Sequence, residues 1–231
     1  MLDDRKKNIG HLFDGIAGTY DTLNHLLSLN IDKSWRRKTI GMLTPCRRLL
    51  DVAIGTADLA IEAIRQHKAE HVQGLDLSQE MMRIGEEKVA RNGMGGRISF
   101  ELGSALEMPY ADGTYDAVTC AYGVRNFSDV DKGLAEFFRV LRPGGELLIL
   151  EFSYPSNPVV RFFYDIFFSH ILPLVGRVIS NDKEAYSYLN KSVKDFFWGK
   201  EMVRHIEAAG FRDVTFRPLT FGITTIYKAI R

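Results

Sequence analysis

The sequence predicts an α/β fold: a doubly wound, mostly parallel sheet of seven strands that ends in an antiparallel hairpin, with helical segments at its start and before its end. Three observations predict it. From Leu49 onward, short apolar runs alternate with amphipathic stretches, the pattern of successive right-handed βαβ units in a sheet covered on both faces. The last two extended segments lie too close together for a parallel crossover, which needs about a dozen residues or more, so they must pair antiparallel. A length of 231 residues suits one well-buried core with a lid or insertion better than two full domains.

The elements follow in order. Ile9 to Leu43 reads as helical, with Asp32 as N-cap of a helix carrying Trp35 and Ile40. The first strand is Leu49–Ala53, and a helix runs from about Ala57 to Gln66. The second strand is His71–Asp76. Ser78 opens the next helix, which turns Met81, Met82, Gly85 and Val89 inward. Ile98–Leu102 is a third strand and Asp116–Ala121 a fourth, leading to a helix over Asp129–Leu141. There Val130, Leu134, Phe137, Phe138 and Leu141 share one face. Pro143-Gly144-Gly145 forms a turn before a fifth strand, Glu146–Phe152. After Gly210, a helix C-cap, come the two closing strands, Phe211–Arg217 and Gly222–Ile230. One domain is expected: a helical cap over 1–45, a core over 46–153, a helical lid insertion over 154–200, and a final helix and hairpin over 201–231.

Composition removes several function classes. The formal net charge is +1, without the basic excess of a non-specific nucleic-acid binder. The two cysteines, Cys46 and Cys120, have no CxxC spacing, so neither a disulfide framework nor a zinc site is indicated, and no metal is expected. No apolar run follows the charged amino terminus, which argues against a secretory signal and for a cytoplasmic chain. The most apolar window, Pro158–Ile179, contains Arg161, Asp165, His170, Pro173 and Arg177, too many polar groups for a spanning helix.

In an open parallel sheet, ligands sit beyond the carboxyl ends of the strands where the winding reverses. The first such turn is Asp51-Val52-Ala53-Ile54-Gly55-Thr56-Ala57-Asp58, and Asp76 ends the next strand about 20 residues after the glycine, where a carboxylate can accept both hydroxyls of a ribose. A dinucleotide site wants several glycines here, whereas this turn has one and sets Asp51 and Asp58 beside it, opposing a pyrophosphate. S-adenosylmethionine instead presents an ammonium and a sulfonium, which those acids favour, while its carboxylate could take backbone N–H groups near Ala57. An ordinary strand-to-helix turn is the bland alternative. The loop Gly103–Pro109 should hold the adenine, with Ser104 and Ala105 at the base edge and Met108 over its face, or with Met108 simply in the core. Leu77 and Ala121, next to Asp76 and at the end of the fourth strand, complete the expected cofactor contacts.

Two further segments are more specific than the glycine turn. They are Tyr20-Asp21-Thr22-Leu23-Asn24-His25-Leu26-Leu27-Ser28 with the following Trp35, and Arg139-Val140-Leu141-Arg142-Pro143-Gly144-Gly145-Glu146-Leu147-Leu148-Ile149-Leu150-Glu151-Phe152-Ser153. With Tyr122-Gly123-Val124-Arg125-Asn126, they resemble the signatures of the menaquinone/ubiquinone biosynthesis C-methyltransferase family, and the resemblance runs from about Phe13 to the carboxyl terminus. It implies the class I, Rossmann-like methyltransferase fold and methyl transfer from S-adenosylmethionine to a ring carbon of a prenylated quinol, with binding positions at Thr56, Asp76, Ser104 and Ala105. The sequence departs from the family pattern at several positions. Ala57 stands where many members have glycine, Ser104 replaces Asp or Asn, Ala121 replaces a serine, and Leu23 replaces methionine. Asp32 fills a position often held by histidine, so the resemblance lends it no role.

Carbon methylation needs an electron-rich ring carbon, supplied once a quinol hydroxyl is deprotonated, together with alignment, exclusion of water and stabilisation of the phenolate. Arg125 and Asn126, just past the fourth strand, are the candidates to orient the quinol oxygen, Arg125 favouring its anion by charge. Arg125 could equally pair with a nearby carboxylate. Tyr20, His25, Asp14 and His170 are candidate proton acceptors, and Tyr20 and His25 could instead be structural. The aromatic window Phe162, Phe163, Tyr164, Phe167, Phe168, Ile171, Leu172, Leu174 and Val175 suits a lid for a prenyl tail with peripheral membrane contact, or alternatively core packing or a homo-oligomer surface. Demethylmenaquinol is the expected substrate. The alternatives are the ubiquinone-pathway benzoquinol, another small molecule, and a catalytically silent S-adenosylmethionine-binding subunit; balanced charge and the absence of an Asn-Pro-Pro-Tyr-like motif argue against a protein or nucleic-acid substrate.

Overall fold

A computed structural model of the chain describes residues 10, 13–15, 17–18, 21, 25, 28–167 and 191–231. Seven strands form one sheet in the order β3-β2-β1-β4-β5-β7-β6. In chain order the elements are α1 (Ile31–Gly41), β1 (Cys46–Val52), α2 (Asp58–Arg65), β2 (Ala69–Asp76), α3 (Gln79–Arg91), β3 (Ile98–Leu102) and β4 (Tyr115–Ala121), then α4 (Val130–Val140), β5 (Leu141–Phe152), α5 (Pro158–Ile166), α6 (Lys200–Ala208), β6 (Arg212–Leu219) and β7 (Thr224–Ile230). Strands β1 to β5 pair in parallel, and β7 joins β5 and β6 antiparallel. The winding reverses between β1 and β4, so their carboxyl ends open a crevice there.

Alternation along the strands assigns side chains to the two faces. Leu50, Val118, Leu147 and Ile149 pack with Phe137 of α4 and with Met202 and Ile206 of α6. The neighbouring Leu49, Ala117 and Leu148 point the other way, towards Ile40 of α1, Leu59–Ile64 of α2, and Met82 and Val89 of α3. Burying each of these large apolar side chains contributes roughly 1.5–3 kcal/mol, and this two-sided packing fixes the strands that carry the crevice. As expected, Ser78 caps α3, its hydroxyl accepting the Met81 N–H at 3.2 Å, and Met81, Met82, Gly85 and Val89 are the buried positions. The hairpin is antiparallel, with β7 inside. Its Thr-Thr-Ile-Tyr run is buried, whereas β6 is exposed along most of its length and carries Pro218, which suits an edge.

Two expectations are corrected. Asn30, not Asp32, caps α1: Leu29 and Asn30 enter the helix with φ of 51° and 61°, which puts Asp32 inside the first turn. There its buried carboxylate accepts the Ser28 hydroxyl at 2.6 Å and meets the guanidinium of Arg36 one turn on. Second, Pro143-Gly144-Gly145 does not separate α4 from the fifth strand. β5 begins at Leu141, opposite Tyr115, and the next paired position is Glu146 opposite Ala117, so the intervening residues bulge out of the strand. Residues 168–179 of the aromatic window lie outside the described residues, as do residues 168–190 of the lid expected over 154–200.

Candidate functional site

At the switch point a cavity of about 360 Å³ opens between the loops that follow β1 to β4, with Gly10 and Phe13 of the amino-terminal segment contributing to its wall. That volume suits a small-molecule ligand. Its glycine turn is tighter than the sequence suggested, because Ala53, Gly55 and Ala57 all have positive φ, of 56°, 53° and 66°. An alanine there is strained by roughly 1–2 kcal/mol. The turn is held by backbone bonds from Ile54 N to Leu75 O at 3.2 Å and from Ala57 N to Ile54 O at 2.9 Å. The Ala57 N–H expected to receive an incoming carboxylate is therefore already used.

Asp76 organises one end of the cavity. Its Oδ2 accepts the Gly55 N–H at 2.8 Å and its Oδ1 the Ser78 N–H at 2.9 Å, so one carboxylate joins the β1 turn to the start of α3. Burial raises its pKa, opposed by the N–H groups of Ser78, Gly55 and Leu77. With about four lone-pair sites and three N–H donors, the carboxylate keeps one for a ribose hydroxyl. Leu77, Ala105 and Ala121, all singled out from sequence, line the same cavity, as do Gly55, Ser104 and Asn126. The Ser104 hydroxyl accepts the Leu106 N–H at 3.1 Å and so shapes the third loop. Of the two roles open to Met108 the structure shows the second, burial in the core, and Leu106 lines the cavity.

The remaining acids sit elsewhere. Asp51 is buried below the turn, accepting the Thr119 hydroxyl at 2.7 Å. Burial pushes its carboxyl up to about 7, the Thr119 bond opposing and the Asp76 charge adding. Thr56 and Asp58 turn to the far side of the loop. Lys88 of α3 reaches Asp58 at 2.7 Å, Asp21 at 2.5 Å and the Thr56 hydroxyl at 3.1 Å, and that hydroxyl donates to Asp21 at 2.6 Å. Burial alone would raise the Asp58 pKa, but Arg36 and Lys88 hold it below the usual carboxylate range. The turn thus aims position 55 into the cavity and position 56 at the amino-terminal segment.

His25 is also held away from the cavity lining. Its Nδ1 lies 2.8 Å from Asp32 and its Nε2 3.9 Å from Asp58. Among the described residues, His25, Asp32 and Asp58 bring three potential metal ligand atoms within 4.8 Å, but Arg36 contacts both carboxylates and already supplies the cation. Asp14 accepts the Ser78 hydroxyl at 2.6 Å. Tyr20 and His170 lie outside the described residues.

The other end of the cavity is built by the turn after β4. Tyr122 has φ of 59°, and Gly123 is forced by packing: a Cβ there would fall 2.6 Å from Ala53 Cβ and 2.7 Å from Cys120 Sγ. A short 3-10 turn over Val124–Asn126 follows. It brings Tyr122, Gly123, Asn126, Phe127 and Ser128 to the cavity. Arg125 is in the same turn but faces inward, 5% exposed, with Nη1 donating to Glu151 Oε1 at 2.8 Å and to the Tyr122 carbonyl. Sequence reasoning missed Glu151, although an acid inside the apolar run Leu147–Phe152 was a usable signal, since carboxylates are almost never fully buried without a partner.

The cavity therefore combines apolar walls, a carboxylate at one end and an amide side chain at the other, and no basic side chain lines it among the described residues. It fits a nucleoside carrying positive charge better than a phosphorylated one.

Comparison with known proteins points the same way. The model of the ubiE/COQ5 methyltransferase family matches residues 1–231. A demethylmenaquinone methyltransferase of Bacteroides fragilis is 44% identical over 233 aligned positions, covering 99% of this chain and 95% of that protein. A protein of Geotalea daltonii named ubiquinone/menaquinone biosynthesis C-methyltransferase UbiE is 39% identical over 229, covering 98% of this chain and 97% of that protein. In fold, the chain is similar to a SAM-dependent methyltransferase from Thermotoga maritima, with a TM-score of 0.67 at 16% identity over 95% of this chain and 98% of that one.

Proposed function

The chain belongs to the ubiE/COQ5 methyltransferase family, and from that premise we propose that it methylates a ring carbon of demethylmenaquinol to give menaquinol. It is an S-adenosylmethionine-dependent C-methyltransferase of menaquinone/ubiquinone biosynthesis. The observation that carries the choice of substrate is the 44% identity, over 99% of the chain, to a protein named for that reaction.

When bound, the cofactor supplies an electrophilic methyl group on a sulfonium. The chain's own residues supply the rest. Asp76, which fixes the β1 turn, would take a ribose hydroxyl, and Ser104 with Ala105 would border the base. Asn126, at the opposite end of the cavity, orients the quinol oxygen, with the Arg125 charge just behind it in the same turn. Apolar walls from Val52, Leu75 and Phe127 keep water from the reacting atoms. The test is incubation with labelled S-adenosylmethionine and short-chain demethylmenaquinol, in parallel with the benzoquinol of the ubiquinone route. One methyl gained on carbon by the first substrate supports the reading; label entering only the benzoquinol would reassign the substrate.

No helix among the described residues is long and apolar enough to cross a membrane. Contact with a membrane surface is supported by α5, where Val159, Phe162 and Phe163 are 63%, 62% and 65% exposed. Replacing Phe162 and Phe163 with Ser should abolish sedimentation with quinone-loaded vesicles; unchanged sedimentation would exclude this face.

A further inference from the structure

We infer that Glu151 is a positioning residue for the methyl-acceptor side of the site, holding the Tyr122–Phe127 turn in register through Arg125. The inference rests on the reading of that turn as the quinol end of the cavity.

Glu151 lies near the carboxyl end of β5, is 1% exposed and does not line the cavity. Its carboxylate serves three donors that all belong to the turn or touch it. Oε2 accepts the backbone N–H of Arg125 at 3.2 Å, and Oε1 accepts Arg125 Nη1 and the Phe152 N–H, both at 2.8 Å. The guanidinium lies 5.2 Å from the centre of the Phe152 ring and passes the constraint on, since its Nη1 also donates to the Tyr122 carbonyl. The Asn126 side-chain amide donates to that same carbonyl at 3.3 Å. A continuous chain of contacts therefore runs from the Glu151 carboxylate through Arg125 and the Tyr122 carbonyl to the amide at the cavity wall.

The turn needs such a hold. Tyr122 is in the left-handed region, where a non-glycine residue persists only if its surroundings over-determine it. The Glu151 backbone is itself fixed, its carbonyl accepting the Thr224 hydroxyl at 2.8 Å within the β5–β7 pair. The carboxylate is thus anchored to the sheet and clamps a loop that is not part of it. The cofactor end, built from Asp76 and Gly55, shares none of these bonds. A purely structural role would weaken both ends together, whereas a positioning role affects only one.

The test is Glu151→Gln, which keeps the shape but sets an NH2 against an N–H or guanidinium donor. The expected result is a loss of kcat of at least ~10-fold, the scale of a small misplacement of reacting groups. The quinol KM should change less, and S-adenosylmethionine affinity by calorimetry should stay within about 3-fold. Glu151→Asp should recover part of the turnover, and it carries the same comparison should the glutamine variant not fold. Adding Glu151→Gln to Arg125→Ala should cost less than about 3-fold more, because both act through one unit. Native kcat in Glu151→Gln, parallel loss of cofactor binding, or additive losses in the double variant would each overturn the inference. If Arg125→Ala and Asn126→Ala both turn over normally, the reading of the turn fails; if they are impaired and Glu151→Gln is not, only the inference fails.

Discussion

Asp51 makes stability depend on pH in a direction opposite to that of a salt-bridged carboxylate. Its carboxyl is buried beneath the cofactor turn and pushed from 3.8 up to about 7, chiefly by burial. Below pH ~4 the group is protonated folded and unfolded, and it contributes nothing. Between there and pH 7 the folded chain keeps a proton that the unfolded chain has released, so this contribution to stability falls as pH rises. Above 7 the full cost of a buried anion is present. At about 1.4 kcal/mol per unit, the interval from pH 5 to pH 7 removes roughly 2 kcal/mol, because the folded group is half-ionised at its upper limit. The Asp76 charge adds to this shift, behind burial. Asp51→Asn keeps an acceptor for the Thr119 hydroxyl and cannot ionise. Urea denaturation of both proteins without cofactor, at pH 5 and pH 8, isolates the effect as a difference of differences and cancels the other titrating groups. The variant should gain at least ~1.5 kcal/mol on the native protein between the two pH values. An unchanged difference would mean that Asp51 ionises at its ordinary pKa and that its burial has no electrostatic consequence.

Three further outcomes follow from the same geometry. S-adenosylmethionine affinity should rise at least ~5-fold from pH 5.5 to pH 8, because the cation favours ionised Asp51; calorimetry in two buffers should show proton release, and a flat profile would break the coupling. Asp76→Ala removes an acceptor from two N–H groups and from the ribose; at roughly 1.5–3 kcal/mol per bond to a charged acceptor, affinity should fall 100-fold or more, and a loss under about 5-fold would displace Asp76 from the site. Gly123→Ala places a Cβ 2.6 Å from Ala53 Cβ and should lower stability by ~1–3 kcal/mol, read as a fall in Tm, while Gly95→Ala, with nothing within 4 Å, should leave Tm nearly unchanged.

Periodicity made most of the scaffold legible before the structure. The inward face of α3, the limits of β3 and the closing hairpin could all be read from spacing, because burial on a regular element repeats with that element. What did not repeat was not legible. The Asn30 cap depends on two left-handed residues, and the bulge in β5 depends on pairing with β4. Of the candidate site residues, Gly55, Asp76, Leu77, Ser104, Ala105, Ala121 and Asn126 line one cavity. Position along the chain could not say which acids face inward. Thr56 and Asp58 lie one and three positions after Gly55, yet they are claimed by Lys88, which is 32 and 30 residues away in sequence. Arg125 is drawn to Glu151, 26 residues on, for the same reason: ion pairing is decided by what the fold brings near.

Preference for a cationic nucleoside survives this redistribution of charge. Of the three acids around the β1 turn, only Asp76 lines the cavity; Asp51 lies below it, and Asp58 is compensated by Lys88 and Arg36. Two carboxylates remain without a cationic partner among the described lining residues, and burial drives both towards the neutral form. At an effective dielectric of about 20, a unit charge about 5 Å from either interacts by about 3 kcal/mol. A sulfonium or ammonium gains that energy and favours the ionised form of Asp51. A pyrophosphate would meet the opposite sign and would favour the neutral form of Asp51. Charge on the ligand and protonation of the protein are therefore one coupled equilibrium, which is why a buried, destabilising Asp51 belongs beneath a site that takes a cation.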